Sequence, residues 1–310
     1  MIATPPSIDI GATAQLACLL EASAPKPGNV SPQSRFDDAT YDDFVASSTA
    51  INEPLGSAGS RPVGQTILLA VEATRSRTAT NTNLGIILLF APLARAAALI
   101  AANREWVQRR TIEADLLRSS LMRVLETTTV ADARDAYAAI RRASPGGLGS
   151  ADSQDVAGEP TVTLTEAMRL AADRDGIARE WATDFRATFE LAVPAFDAAR
   201  SDGLDWNDAI VETYLTVLAT HPDTHIVRRA GPALADEVSA WAREARRDGG
   251  TRTALGRATI QRMSDALAGN RNRANPGTTA DITAAAIFIA LLGGAWQSTI
   301  GTIGGTDAAR

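Results

Sequence analysis

LGIILLFAPLARAAALIAA, residues 84–102, is the stretch of sequence that decides the fold class. It is long enough to cross a membrane, but Arg95 lies well inside it and Pro92 interrupts it. A second apolar run, ITAAAIFIALLGGAW, covers residues 282–296. Two such runs in a chain of ordinary composition indicate the central buried helices of a helical domain.

The segments around these two runs repeat their apolar residues at helical spacing. Residues 62–75 place the apolar side chains on one face, as a helix requires. Residues 163–196 predict one or two helices that begin with a cap at Thr163 or Thr165. Strand-like alternation is limited to TVTL at 161–164. We therefore predict an all-α helical bundle in which the two apolar helices are central.

The chain is predicted to form a single domain over residues 1–310, with a long irregular loop at about 142–163. Irregular segments of this length within compact domains are usually functional or mobile. We expect this one to lie over a site rather than to link two halves.

Composition excludes several classes of protein. The net charge of −6 argues against a general nucleic-acid binder. The single cysteine, Cys18, excludes an internal disulfide and is predicted to lie in the core. The first residues show no signal peptide, so we predict a soluble, cytoplasmic protein without a membrane partner.

Five short polar segments, rich in Gly, Pro, Asn or Thr, interrupt the apolar pattern. Singly, each is explained as a turn or cap of a helical bundle. Helix N-termini favour anions, so several of them converging would build a site for a polyphosphate. The segments are PKPGNV (25–30), TATNTNLG (78–85), SPGGLG (144–149), HPDTHIVRRAG (221–231) and NPGTTADI (275–282).

Two kinds of charged residue in these segments point toward a nucleotide. Lys26 is the only lysine among the 30 Lys and Arg residues, which favours a point charge on a phosphate over a compositional accident. Carboxylates beside a phosphate site, such as Asp223 and Asp281, are how proteins hold Mg²⁺ on a nucleotide. No P-loop, Rossmann glycine motif, nucleophile elbow or CxxC is present.

The only two histidines, His221 and His225, lie four residues apart, a spacing known from zinc sites. Pro222 and Asp223 predict a turn between them, and no Cys or following Glu completes a zinc site. We therefore predict that His225 caps a helix or contacts substrate, with Arg228 as a nearby cation.

In order, Glu21 with PKPGNV, NTNLG, DTHIVRRAG and NPGTTADI resemble the motifs of the triphosphoribosyl-dephospho-CoA synthase family, over about residues 14–300. The resemblance implies an all-α transferase that takes ATP and 3′-dephospho-CoA and displaces adenine. It would join the triphosphoribosyl group to a ribose hydroxyl through an α-glycosidic bond, with Mg²⁺ accompanying ATP.

Departures from the family motifs leave the acceptor open. Citrate-lyase-type members carry a second motif resembling NTHKG, so Asn83 and Leu84 replace a histidine and a lysine. Ser31 stands where many members have a histidine. The SPGGLG loop resembles that of a divergent branch in archaea and in bacteria with tetrahydromethanopterin-type cofactors. The acceptor is therefore dephospho-CoA or another ribosyl or ribityl alcohol.

Displacing a base from ribose requires a general acid and a general base. Glu21 is the predicted base, with Lys26 and Asp38 completing the catalytic set. Asp38, with Asp223 or Asp281, is predicted to hold Mg²⁺. The predicted nucleotide-contacting residues are Pro27, Gly28, Asn29, Asn81, Asn83, Thr224, His225, Arg228, Asn275, Gly277 and Thr278.

Two alternatives stay open from the sequence. One is a transferase that uses phosphoribosyl pyrophosphate as donor in the assembly of a pterin-type one-carbon cofactor. The other is a non-catalytic helical protein that binds a nucleotide. In each case the expected partners are small nucleotide-like molecules and not nucleic acid, and a homodimer is compatible with the resemblance.

Overall fold

The structure is a computed structural model that describes residues 8–103, 111–147, 149–268 and 274–296. Within these ranges the chain forms helices and no β-strand; one isolated bridge joins Ser31 and Ser34. The all-α prediction is therefore confirmed. The helices are α1 (Ile10–Ser23), α2 (Tyr41–Ala50), α3 (Asn52–Gly56), α4 (Val63–Arg75), α5 (Leu84–Ala101), α6 (Ala114–Glu126), α7 (Val130–Ala143), α8 (Leu164–Ala171), α9 (Gly176–Ala182), α10 (Val193–Ser201), α11 (Trp206–Thr220), α12 (Thr224–Ala230), α13 (Pro232–Arg247), α14 (Ala254–Ala268) and α15 (Gly277–Leu292). Short 3-10 turns cover Ala58–Ser60 and Gly250–Arg252, and a π-helical turn, Thr188–Ala192, leads into α10.

Helices α5 and α15 form the centre of the fold, as their apolar sequences predict. Helix α15 packs against α1, α5, α10 and α11, and the rings of Phe90 and Phe288 stack with centroids 4.6 Å apart. Within the described residues α5 is the one helix long and apolar enough to span a membrane, and 72% of that window is buried inside the protein. Its charged residue, Arg95, donates to the carbonyls of Ala58 and Arg61 at 3.1 and 2.6 Å. Helix α5 is thus a core helix whose one cation is satisfied by the protein itself.

Pro92 removes one hydrogen bond from α5, and a side chain from another helix replaces it. Proline has no backbone N–H, so the Leu88 carbonyl, four residues earlier, loses its helical donor. The indole Nε1–H of Trp181, fully buried on α9, donates to this carbonyl at 3.1 Å. The contact fixes α9 against the central helix.

Residues 163–196 form three helical pieces, where one or two were predicted. Thr163 caps α8 by accepting a backbone N–H of the first turn at 3.3 Å, so the predicted cap is confirmed and TVTL is not a strand. Asp175 caps the next helix, α9. Asp184 and Phe185 then adopt positive φ angles of 52° and 57°, which end α9. Burial of the Phe185 ring in the core offsets the strain of this turn.

The described part of the irregular segment between α7 and α8 follows the surface of α7. The hydroxyl of Tyr137 donates to the Gln154 carbonyl at 2.6 Å, and the Arg141 guanidinium donates to the Val156 carbonyl at 2.6 Å. Leu148 of the SPGGLG motif lies outside the described residues. The segment is therefore held at several points, and it supplies part of a cavity wall.

Candidate active site

The five polar segments of the sequence meet around a cavity of about 790 Å³. Each of them contributes lining residues, so the spatial convergence expected from the sequence is present. The predicted site residues that line the cavity are Glu21, Asn29, Asp38, Asn81, Asn83, His225, Arg228, Asn275, Gly277, Thr278 and Asp281. The predicted residues that lie outside its lining are Lys26, Pro27, Gly28, Asp223 and Thr224.

Lys26 pairs with Glu21 behind the cavity. Its Nζ lies 3.0 Å from Oε1 of Glu21 and also donates to the backbone carbonyls of Glu21 and Ala24. The Lys26 side chain is fully buried, and that of Glu21 is 5% exposed. An ammonium group has three donors, and all three are used here, so Lys26 is not placed to hold a phosphate. The role predicted for it is corrected: it compensates the charge of Glu21, which does line the cavity.

The PKPGNV turn is held by α11 and by the NPGTTADI turn. The hydroxyl of Tyr214 donates to the Pro27 carbonyl at 2.7 Å and accepts from Nδ2 of Asn29 at 2.9 Å. Gly28 has a φ of +76°, and a Cβ at this position would crowd Pro276. Pro27 and Gly28 thus shape the turn and do not form the predicted phosphate cradle. Asn29 is the polar residue of this turn that faces the cavity.

The TATNTNLG segment opens α5 toward the cavity. Nδ2 of Asn83 donates to Oγ1 of Thr74 at 3.2 Å and to a backbone carbonyl of α2, so this nitrogen joins helices, and the predicted ligand contact of Asn83 stays a prediction for its oxygen. Asn81 is exposed at the mouth, where its Oδ1 accepts the N–H of Leu84 at 3.2 Å. Oγ1 of Thr82 is buried at the cavity and has no hydrogen-bond partner among the described residues. Thr82 is therefore a polar group available to a ligand.

Asp223 forms four structural hydrogen bonds. Its Oδ1 accepts from the N–H groups of His225 and Ile226 at 2.8 and 3.2 Å, which caps α12. Its Oδ2 accepts from the N–H and the hydroxyl of Thr279, both at 2.7 Å, which joins α12 to α15. Burial raises the pKa of Asp223, although these donors and His225 act in the opposite direction. The metal-binding role predicted for Asp223 is corrected, because its oxygens are occupied and lie outside the cavity.

A pair of threonines fixes three helix N-termini at the cavity. Oγ1 of Thr224 accepts from the N–H of Gly176 at 2.9 Å and lies 3.1 Å from Oγ1 of Thr278. Helices α5 and α15 both begin at the cavity, and neither is capped by its own N-cap residue; Asn81 accepts the N–H of Leu84 at 3.2 Å and Asp223 that of Thr279 at 2.7 Å. Oδ1 of Asn275, beside the start of α15, is buried without a partner among the described residues. This oxygen is available to accept a hydrogen bond from a bound molecule.

His225 has a fixed orientation at the cavity. Its Nδ1 lies 2.9 Å from the Asn275 carbonyl, which can only accept, so Nδ1 carries the hydrogen and Nε2 is left as an acceptor. Burial lowers the pKa of His225, against the opposing effect of the Asp223 carboxylate. The ring is therefore neutral at pH 7. Within the described ranges no group of three or more His, Cys, Asp or Glu side chains could hold a metal ion.

Four arginines line the cavity. Nη1 of Arg228 lies 3.0 Å from Oδ2 of Asp175, and its Nε donates to the Gly146 carbonyl at 3.3 Å. Arg229 follows it on α12. The others are Arg75 and Arg174, whose exposed side chains place them at the mouth. The mouth of the cavity is thus rich in positive charge.

Two carboxylates lie in the interior of the cavity. Glu21 is one, and the other is Asp281, half-buried at the fifth residue of α15. The Asp281 carboxylate packs directly on Gly85, where an added Cβ would overlap it. Desolvation, followed by the negative charge of Glu21, raises the pKa of Asp281 well above its ordinary value. Asp38, by contrast, is exposed at the mouth.

Sequence reasoning missed several residues that build this site. Arg174 and Asp175 belong to the DRDG stretch, whose Asp before a helical pattern is a cap signal that could have identified them. Thr82 could have been included with its neighbours in TATNTNLG. Tyr214 lies in an apolar helix and contacts a turn 187 residues away, so no local signal marks it.

Comparisons with known proteins bear on the family and on the fold. The family model for ATP:dephospho-CoA triphosphoribosyl transferase matches residues 7–300. Among solved structures, the chain is similar to a candidate triphosphoribosyl-dephospho-CoA synthase from Archaeoglobus fulgidus, with 24% identity and a TM-score of 0.60. That match covers 81% of this chain and 99% of the other, and at this identity it bears on the fold. No curated protein sequence matches the chain.

Proposed function

The chain belongs to the ATP:dephospho-CoA triphosphoribosyl transferase (CitG) family, and from this premise we propose the reaction that its cavity carries out. A triphosphoribosyl group passes from ATP to a ribose hydroxyl of 3′-dephospho-CoA, and adenine leaves. The bond between C1′ and the adenine nitrogen breaks with its electron pair going to the base. A bond between C1′ and the acceptor oxygen forms, and the hydroxyl proton goes to an enzyme base.

The separation of charge within the cavity is the observation that supports this proposal most strongly. The buried carboxylate of Glu21 lies in the interior, whereas the exposed arginines Arg75 and Arg174 lie at the mouth and Arg228 and Arg229 line the wall. A triphosphate is attracted to the mouth and repelled from the interior. The ribose carbon, which becomes positively charged as the base leaves, is stabilised beside the Glu21 carboxylate. The nucleotide would therefore bind with its phosphates at the mouth. The predicted contact between Lys26 and a phosphate required the opposite orientation, with the phosphates in the interior.

Glu21 is the general base in this proposal, as the sequence predicted. Its carboxylate lines the cavity, and the Lys26 ammonium, 3.0 Å from Oε1, holds it in place. The neutral His225, with Nε2 as an acceptor, would contact a hydroxyl or the adenine edge. The apolar residues Leu164, Met168 and Ile177 line another wall. They suit the base or the pantetheine arm of the acceptor.

We further propose that magnesium enters as Mg²⁺–ATP. A metal shared with a triphosphate needs only one or two protein carboxylates, and Asp38 lies at the mouth where the phosphates would be.

We propose that residues 1–310 act as one domain, because turns from both halves of the chain line the same cavity. A cytoplasmic location is proposed from the use of ATP as donor, and a homodimer stays a prediction.

The direct test is incubation of the purified protein with Mg²⁺, ATP and dephospho-CoA. Free adenine and the triphosphoribosyl adduct, measured by chromatography and mass spectrometry, should appear in equal amounts, and neither should appear without dephospho-CoA. Glu21→Gln should lower kcat by roughly 10²–10⁴-fold with its circular dichroism unchanged. Absence of adenine from the wild-type protein would contradict the proposal.

A second candidate concerns the acceptor, and one observation favours it. Leu84 lines the cavity where the citrate-lyase-type motif has a lysine, so a cation that could bind the acceptor is missing here. We propose testing a ribityl alcohol beside dephospho-CoA, with ATP and with phosphoribosyl pyrophosphate as donors. Pyrophosphate release with the ribityl acceptor would identify the pterin-type alternative, whereas binding of ATP without turnover of any acceptor would identify a non-catalytic protein.

A further inference from the structure

Asp281 differs from the other acidic residues of the cavity in having no hydrogen-bond or ion-pair partner among the described residues. Glu21 is paired with Lys26, and Asp175 is paired with Arg228 at 3.0 Å. The carboxylate of Asp281 accepts no hydrogen bond and forms no ion pair with any residue in the described part of the chain. It is packed against Gly85 at the start of α5, among buried helices. A carboxylate without a cationic partner in such surroundings favours its protonated form, unless a ligand supplies a cation.

The surroundings of Asp281 favour a proton over a metal ion. Among the described residues, Asp281 belongs to no cluster of three or more His, Cys, Asp or Glu side chains that could hold a metal ion. Asp223 was predicted to bind the metal together with Asp281. Both of its carboxylate oxygens accept hydrogen bonds from donors of α12 and α15 instead. Asp38 belongs to the exposed mouth. Asp281 therefore has a different role from the carboxylate that would meet Mg²⁺ on the triphosphate.

We infer that Asp281 is the general acid that protonates the departing adenine while Glu21 accepts the proton of the attacking hydroxyl. This inference rests on the proposed function and replaces the metal-binding role predicted from the sequence. The family resemblance implies an α-glycosidic product from β-linked ATP, which requires inversion at C1′ in a single displacement. Acid and base must then act on opposite faces of the ribose, as in inverting glycoside hydrolases.

The step balances without any further reactant. The C1′–N bond of ATP breaks, its electron pair goes to adenine, and the Asp281 proton is delivered to a ring nitrogen of the base. The acceptor oxygen bonds to C1′ and its proton goes to Glu21. One proton has moved from Asp281 and one has reached Glu21, so the pair is reset by exchange with solvent once adenine has left. Adenine and the triphosphoribosyl adduct are the only products.

Charges around the two carboxylates agree with this division of roles. Burial is the main cause of the raised pKa of Asp281, and the neighbouring charges of Glu21, Asp223 and Asp175 raise it further, against a smaller opposing effect of Arg228. Burial likewise raises the pKa of Cys18, followed by the charges of Glu21 and Asp281, so this thiol is neutral and adds no charge. A carboxyl group that keeps its proton, in the same cavity as a second carboxylate that can accept one, is the arrangement that acid–base catalysis needs.

The test compares leaving groups of different basicity. In 7-methyl-ATP the base already carries a positive charge and leaves without a proton. Asp281→Asn should lower kcat with ATP by roughly 10²–10⁴-fold and with 7-methyl-ATP by less than about 10-fold. The Mg²⁺ concentration for half-maximal rate should not change. Asp38→Asn is the matched comparison: it should raise that Mg²⁺ concentration and affect both donors equally.

Equal losses with both donors for Asp281→Asn, or an increased Mg²⁺ requirement, would overturn the inference and make Asp281 a metal ligand. An infrared difference spectrum provides a readout that needs no turnover. Wild-type protein minus Asp281→Asn at pH 7.5 should show the C=O stretch of a protonated carboxyl, and its absence overturns the inference even in an active enzyme. Failure of the proposed function is distinguished by a wild type that releases no base from either donor.

Discussion

The Lys26 ammonium lies 3.0 Å from the Glu21 carboxylate, and both side chains are almost completely buried. The only lysine of the chain is thus the counter-ion of a cavity carboxylate and not a contact for the substrate. A buried pair of this kind contributes little net stability, but removal of one partner leaves an uncompensated charge in a desolvated place.

Lys26→Met is therefore expected to lower the free energy of unfolding by about 3–5 kcal/mol, because Glu21 is left buried and unpaired. Urea unfolding followed by circular dichroism measures this change. The double variant Lys26→Met with Glu21→Gln should recover a large part of the loss, since no charge is then isolated. A Lys26→Met protein of wild-type stability that has lost only its affinity for ATP would restore the phosphate-binding role.

Asp281→Asn is expected to stabilise the protein at neutral pH while it lowers activity. Because the pKa of Asp281 is raised in the folded state, the folded protein binds more protons than the unfolded chain above about pH 4. The contribution of Asp281 to stability consequently falls as pH rises through that window, and asparagine removes this effect. We expect a gain of about 1–2 kcal/mol at pH 8 and a smaller gain at pH 4, measured by urea unfolding. An equal effect at both pH values would contradict the raised pKa.

Gly85→Ala tests the close approach of α5 to the Asp281 carboxylate. A Cβ at position 85 would overlap that carboxylate and displace it from the first turn of α5. Alanine favours a helix over glycine by up to about 1 kcal/mol, so thermal unfolding should show unchanged or slightly increased stability. Activity should nevertheless fall at least about 10-fold, because a catalytic group held out of position loses orientation. A fully active Gly85→Ala enzyme would exclude a role for Asp281 at this place.

Trp181→Phe tests the hydrogen bond that compensates Pro92. The Leu88 carbonyl would lose its indole donor and remain buried, which costs about 1–3 kcal/mol. Pro92→Ala supplies a backbone N–H in its place, so the two substitutions together should cost less than the sum of their separate effects. Additive changes in the free energy of unfolding would show that the indole bond does not replace the missing helical bond.

The fold was predictable from the sequence because its signals are local. The apolar runs that became α5 and α15 are too uniform for surface helices, and their burial against each other follows. The cap at Thr163 could be predicted from the neighbouring residues alone. The break at Asp184 and Phe185 was missed because positive φ at such residues is imposed by packing of the Phe185 ring, which no local pattern encodes.

The site was only partly predictable because polarity identifies a turn but not the direction of its side chains. Asn275 and Asp281 face the cavity. Asp223 is equally polar and equally close to a turn, but its carboxylate accepts hydrogen bonds that join two helices. The scarcity of lysine singled out Lys26 correctly as unusual. Its partner, however, proved to be Glu21, five residues earlier, and a phosphate was the wrong expectation.

A crystal structure with Mg²⁺ and ATP, grown without acceptor, tests the central claim most directly. The account predicts ribose between Glu21 and Asp281 in the interior, with the triphosphate at the mouth beside Arg174, Arg228 and Arg229 and its Mg²⁺ near Asp38. A triphosphate bound in the interior at the Lys26–Asn29 turn, with the base directed to solvent, would contradict it.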